Sequence, residues 1–177
     1  MAELRPDNPY APERFPNPNK RVEFPPEAKQ KFDRILTRYP NKESALLPTL
    51  HLAQEVWGWI SPEAVLYVGS LLNLSPATVF GVVSFYNMYN QKPVGKYHLQ
   101  VCTNLSCMVN RAYDIHDHLC EKLGVRPGET TSDGNFTVSE VECLGSCDTA
   151  PVVQINNDYL ENMTVEKMDA WIRSKSS

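Results

Sequence analysis

The stretch Tyr97-His98-Leu99-Gln100-Val101-Cys102-Thr103-Asn104-Leu105-Ser106-Cys107 decides the fold. Tyr97, Leu99 and Val101 alternate with polar neighbours, the period of a half-buried strand, and that strand ends at Cys102. The pattern then changes: Ala112, Ile115, Leu119 and Leu123 fall on one helical face, which predicts a helix over about 109–123 with Gly124 as its stop. Phe136 and Val138 open a second strand, and Glu140 breaks its alternation before Val141 and Cys143, which predicts a bulge. Val153 and Ile155, the turn residues Asn156-Asn157-Asp158, then Tyr159-Leu160, form a hairpin pattern. Thr164 caps a last helix carrying Val165, Met168 and Ile172. The order is β-α-β-β-β-α. A crossover favours parallel pairing and a hairpin antiparallel pairing, so the expected sheet is mixed and four-stranded.

Upstream of residue 97 the period is helical. Ala28, Phe32, Ile35 and Tyr39 make one apolar face, and Leu46, Leu50, Ala53 and Trp57 make another, closed by Gly58. Pro48 marks the first turn of the second helix. Ser61-Pro62 and Ser75-Pro76 announce two more, serine at the N-cap and proline where no N–H is needed. Val65, Val68 and Leu72, then Val79, Val83 and Tyr86, supply their faces. The expected architecture is therefore α+β: a four-helix bundle over 26–90, a linker over 91–96 and a β-containing domain over 97–177. Seven of the fourteen prolines precede residue 27, so residues 1–25 are read as an extended arm.

A chain of 177 residues has room for one or two small cores. Its 42% hydrophobic and 21% charged residues fit a globular protein rather than a disordered one. Seventeen basic residues against twenty-one acidic ones leave a net charge of −4, which disfavours a nucleic-acid binder. No run approaches the ~20 apolar residues that span a bilayer, so no membrane insertion is expected. The first residues lack an apolar signal segment and mix Glu3, Asp7 and Glu13 with arginines, so a cytoplasmic location is expected. Cysteines in that compartment are reduced thiols or metal ligands.

Four of the five cysteines form two pairs, Cys102-x4-Cys107 and Cys143-x3-Cys147, separated by thirty-five residues, and each pair lies where a strand gives way to a loop. Four converging thiolates repel one another unless a cation compensates them. Three readings compete. Zinc ribbons and thioredoxin-type dithiols both space their cysteines by two, unlike either pair here. A binuclear iron–sulfur cluster takes two sulfurs per iron, and the gap of four matches the opening of the plant-type ferredoxin spacing. Spacing thus ranks the cluster first, zinc second, and buried or redox thiols third. Thr103, Ser106 and Ser146 offer hydroxyl donors to sulfur, although loop solvation explains each as readily. Gly145 permits a positive φ that turns amides inward, and a helix starting after Cys107 would aim its N-terminus at the site. Cys120 reads as a half-buried core thiol. His116 and His118 face different ways on a helix, and His51 and His98 are isolated, so no histidine joins the set.

The β-α-β-β-β-α order is that of a thioredoxin-like domain. The cysteine pattern, Leu144-Gly145 within it and Ala150-Pro151 after it resemble the thioredoxin-like [2Fe–2S] E subunit of NADH:quinone oxidoreductase, respiratory complex I. Leu50-His51-Leu52-Ala53-Gln54-Glu55, Gly58-Trp59-Ile60 and Gly81-Val82-Val83-Ser84-Phe85-Tyr86 are similar to that family's helical domain, and the resemblance runs from about Phe24 to Ile172. It implies one [2Fe–2S] cluster, with Cys102 and Cys107 on one iron and Cys143 and Cys147 on the other. It also implies single-electron exchange with the flavin of a neighbouring F subunit, which holds FMN and NADH, a further contact with the large iron–sulfur G subunit, and a place on the cytoplasmic face of the membrane. The chain itself has no Gly-rich dinucleotide fingerprint or P-loop; Gly69 and Gly81 read as close-packing sites. Related subunits serve NAD-linked formate dehydrogenases and hydrogenases, so the equivalent diaphorase role stands as the alternative, and a zinc-stabilised interaction module as a distant one. The run Phe85, Tyr86, Met88 and Tyr89 reads either as a docking surface or as packing.

Overall fold

A computed structural model describes residues 21–175. The chain divides between Pro93 and Val94 into two compact units. The first holds four helices: α1 (Pro26–Leu36), α2 (Leu46–Trp57), α3 (Pro62–Leu72) and α4 (Pro76–Phe85). Their starts are those the sequence announces, but α1 stops at Leu36 and α4 at Phe85, so Tyr39 and Tyr86, read as the last residues of helical faces, lie beyond the helix ends. Ser61 accepts the Ala64 N–H and Ser75 accepts the Thr78 N–H, each satisfying a first-turn donor. Gly58 ends α2 at φ +79°, and Pro48 sits in the first turn of that helix.

Leu50, Ala53, Ala64, Val68, Leu72, Val79 and Val83 fill the core of this unit. Phe24 joins them: it stacks on Trp57 at 5.1 Å and meets Tyr67 edge-on at 5.3 Å. The tail end of the predicted arm is therefore part of the core, because an aromatic ring beside two prolines outweighs its polar neighbours. Residues 1–20 of that arm lie outside the described residues. Gly69 is a close-packing position, since a Cβ there would meet the Leu74 carbonyl oxygen at 2.9 Å. Gly81 is not one; it faces open space. The aromatic run splits. Tyr89 is buried and donates to the Leu47 carbonyl, while Phe85, Tyr86 and Met88 are exposed.

The second unit carries β1 (Tyr97–Cys102), α5 (Leu105–Val109), α6 (Ala112–Leu123), β2 (Phe136–Val141), β3 (Val153–Ile155), β4 (Asp158–Leu160) and α7 (Val165–Lys175). The sheet order is β2-β1-β3-β4, with β1 parallel to β2 and antiparallel to β3, so the sheet is mixed as expected. Leu99 packs between Val138 and Ile155 in register, above Ile115, Leu119, Met168 and Ile172 of the helices.

Two local expectations need correction. The helix predicted over about 109–123 is α6, which starts at Ala112; a separate short helix that the sequence did not announce, α5, precedes it, and Arg111 stands between them at φ +70°. No bulge occurs at Glu140, because the β1–β2 register runs unbroken from Tyr97↔Phe136 to Cys102↔Val141. A charged residue near the exposed end of the strand needs no extra residue to leave the core.

Candidate functional site

Cys102 is the last residue of the central strand, and the chain there is held from both sides. Its N–H donates to the Val152 carbonyl, and the next N–H, that of Thr103, donates to the Val141 carbonyl at 3.0 Å. Asn104 then caps α5 through its side-chain oxygen, at 2.7 Å from the Leu105 nitrogen. Cys107 falls in the middle of α5 rather than just ahead of a helix, the position expected from the sequence. Both residues are 3% exposed; the Cys102 thiol donates to the Glu142 carbonyl at 3.9 Å and lies close enough to act on Cys107. Burial, then the bond to Cys102, pushes the Cys107 thiol up to about 11 against the opposing Val152 N–H, and the Cys102 and Cys147 side chains add to the rise. A bare thiolate is disfavoured there, and a metal that binds must both displace the proton and compensate the charge.

The second loop leaves β2 at Val141. Cys143 and Cys147 are exposed. Gly145 has φ +75°, and its N–H points at Cys143 Sγ at 3.4 Å, the inward amide that a glycine makes possible. Cys147 opens a 3-10 turn, Cys147–Thr149, that packs against α5. Tyr159 on β4 donates its hydroxyl to the Leu144 carbonyl at 2.8 Å and ties the loop to the hairpin. The Ala150–Pro151 peptide that follows is cis.

The structure thus brings Cys102 and Cys107 together, with Cys147 near enough for its charge to act on Cys107, while Cys143 is held by Gly145 instead. Among the described residues no three His, Cys, Asp or Glu side chains converge on a single-ion site. Two of the three predicted hydroxyl donors go elsewhere: Thr103 donates to Glu140 Oε1 at 2.7 Å, and Ser146 donates to Glu161 Oε1 at 2.7 Å. Sequence reasoning missed both carboxylates, although the broken alternation at Glu140 marked one of them. Cys120 lies apart on α6, half-buried, 3.9 Å from His116 Nε2. The histidines are otherwise engaged. His98 pairs with Ser139, His116 with Asp117, His118 with Asp169, and His51 packs on the Tyr89 ring.

The chain that presents these cysteines from two loops at one end of its sheet is similar to known proteins. Residues 32–176 match the family described as thioredoxin-like [2Fe-2S] ferredoxin. The chain belongs to this family. It is 45% identical over 148 residues to NADH-quinone oxidoreductase subunit 2 of Thermus thermophilus, covering 81% of this chain and 82% of that protein. It is 47% identical over 146 residues to the E subunit of the NADH-quinone oxidoreductase of Rickettsia felis, covering 81% of this chain and 87% of the relative. Among solved structures it is similar to an NAD+-reducing [NiFe]-hydrogenase in its H2-reduced state, at TM-score 0.64 and 25% identity over 72% of this chain. The match spans 21% of the hydrogenase chain. The two relatives are subunits of NADH-quinone oxidoreductases, and the donor set fits the group that the family description of this chain carries: thiols only, two of them buried and adjacent, with a backbone amide already directed at a third.

Proposed function

We propose that this chain is the electron-transfer subunit of an NADH-quinone oxidoreductase and holds one [2Fe–2S] cluster. In this reading Cys102 and Cys107 hold one iron and Cys143 and Cys147 the other, and single electrons pass to and from the flavin of a neighbouring NADH-binding F subunit. The large iron–sulfur G subunit is a further partner, and the chain sits at the cytoplasmic face of the membrane through these contacts. No described helix is long and apolar enough to cross a membrane. The observation that carries the reading is the placement of both cysteine loops at one end of the sheet, with Cys107 buried against Cys102 and within reach of the charge of Cys147.

When bound, the cluster supplies one-electron redox chemistry. The chain's own residues do the rest. β1 fixes Cys102, α5 turns Cys107 back toward it, and the apolar residues beneath exclude water from both sulfurs. The Gly145 amide offers a hydrogen bond to sulfur, which favours the added electron. Exposure of Cys143 and Cys147 leaves that side open toward a partner.

Anaerobically purified full-length chain should be red-brown and contain iron and acid-labile sulfide in equal amounts. Reduction should give a one-electron paramagnetic signal at low temperature. Colourless protein with one bound zinc would reject the reading. The hydrogenase likeness supports the second reading, a diaphorase subunit of an NAD-linked hydrogenase or formate dehydrogenase. Capture from native membranes separates the two: quinone-reducing partners support the first, and a nickel or molybdenum subunit supports the second.

A further inference from the structure

Glu140 is the one residue of β2 that breaks the strand's polarity pattern, and it does so without a bulge. The register is continuous, with Val101↔Glu140 and Cys102↔Val141 directly opposed. Instead its carboxylate oxygen Oε1 accepts two hydroxyls, from Thr103 at 2.7 Å and from Tyr113 at 3.2 Å. Thr103 is the residue after Cys102 and is 8% exposed; Tyr113 stands on α6. One side chain therefore ties together the strand that leads to Cys143, the turn that leaves Cys102 and the helix beyond Cys107.

We propose that Glu140 is a positioning residue that lowers the reduction potential of the cluster site by holding a negative charge, and the Thr103 hydroxyl with it, beside the turn after Cys102. The inference rests on the cluster reading above. Its two effects share a sign. A threonine has a single O–H to donate, and one committed to a carboxylate is withheld from sulfur, where it would stabilise the reduced form. The fixed carboxylate also opposes the arrival of an extra electron nearby. Glu140 is exposed, so the charge effect is screened by salt. That dependence separates it from a purely mechanical clamp.

The test is a redox titration of the full-length chain, poised with dithionite and mediators and read by paramagnetic resonance, at low salt and at about 1 M salt, where screening is nearly complete. Glu140→Gln keeps an oxygen that can accept the Thr103 hydroxyl but removes the charge. It should keep wild-type iron and sulfide and be reduced more easily, by several-fold up to tenfold, which for one electron is at most about 59 mV. The shift should shrink at high salt, and Glu140→Asp should restore most of the wild-type midpoint. Thr103→Val leaves the charge but frees it from its closest anchor, and should shift the midpoint the same way by less. A loaded Glu140→Gln protein with the wild-type midpoint, or a shift equal at both salts, would overturn the inference. Should Glu140→Gln fail to load, an unmoved midpoint in Thr103→Val would overturn it just as well. Wild-type protein without iron or sulfide would instead bring down the cluster reading itself.

Discussion

Cys102 and Cys107 are each 3% exposed, whereas Cys143 and Cys147 are exposed, although the two pairs differ by only one residue in spacing. The contrast follows from strand order. The first loop leaves β1, which has β2 on one side and β3 on the other; the second leaves β2, which borders the sheet. A chain leaving a central strand is hydrogen-bonded from both flanks and roofed by helices, here α5 and α6. A chain leaving an outer strand must be tied down piece by piece, as Tyr159 does at Leu144 and Glu161 does at Ser146. One pair is thus buried by the fold itself, and the other stays exposed.

The sharpest way to break this contrast is to remove one proposed ligand from each loop. Changes to groups that merely orient a ligand cost about 10–100-fold in metal affinity, so loss of a buried ligand costs at least that. Cys102→Ser should leave essentially no iron or sulfide on the protein. Cys143→Ser should also weaken the cluster but retain a larger fraction, because an exposed loop can bring its serine oxygen or water to the vacant position. Iron and sulfide analysis after anaerobic purification decides it; equal losses would show that the two loops are equally preformed.

Packing beneath the loops gives the next largest effect. Leu99, fully buried between Val138 and Ile155, should cost about 2–5 kcal/mol on truncation to alanine. Leu144, half-buried in the second loop, should cost about 1 kcal/mol or less. Hydrogen exchange at the β1 amides in increasing urea measures both within the same unit.

Much of this arrangement was legible beforehand, for identifiable reasons. Ser61-Pro62 and Ser75-Pro76 start helices because each dipeptide satisfies one first-turn donor and dispenses with another. The strands were visible as alternating Tyr97, Leu99 and Val101, and as a hairpin around Asn156-Asn157, where Asn156 takes φ +55°. The α5–α6 break was hidden, because Val109-Asn110-Arg111-Ala112 contains neither glycine nor proline and the left-handed turn falls on an arginine. The four cysteines could be picked out as a set, but not their unequal burial, which depends on sheet order. The fate of the Thr103 and Ser146 hydroxyls was illegible for the same reason: Glu140 lies thirty-seven residues from Thr103 along the chain.

Acid sharpens the contrast from the side of β1. His98, on that strand, is 9% exposed and bonded to Ser139 of β2, and burial lowers its pKa from 6.5 to about 4. The folded protein therefore binds this proton less readily than the unfolded chain. The stability His98 contributes by staying neutral is complete above pH 6.5 and is lost as pH falls toward 4. At 1.36 kcal/mol per unit the loss amounts to about 3 kcal/mol. His98→Gln should flatten the acid side of the stability profile of the second unit, and an unchanged profile would show that the end of β1 remote from Cys102 is wetter than its burial implies.

The smallest effect should come from the fifth cysteine. Cys120 is half-buried on α6, close to His116 and away from both loops, and burial first, then the Asp117 charge, raises its pKa. Its position on α6, beside His116 rather than in either cysteine loop, is what sets it apart from the proposed ligands. Cys120→Ser should cost under about 1 kcal/mol and leave iron, sulfide and the paramagnetic signal at wild-type levels. The comparison of the two loops assumes that the cluster draws on these four sulfurs alone. Loss of the signal in Cys120→Ser, with Cys143→Ser still loaded, would place the fifth thiol in the second loop's role and turn the exposure of Cys143 into the mark of a non-ligand.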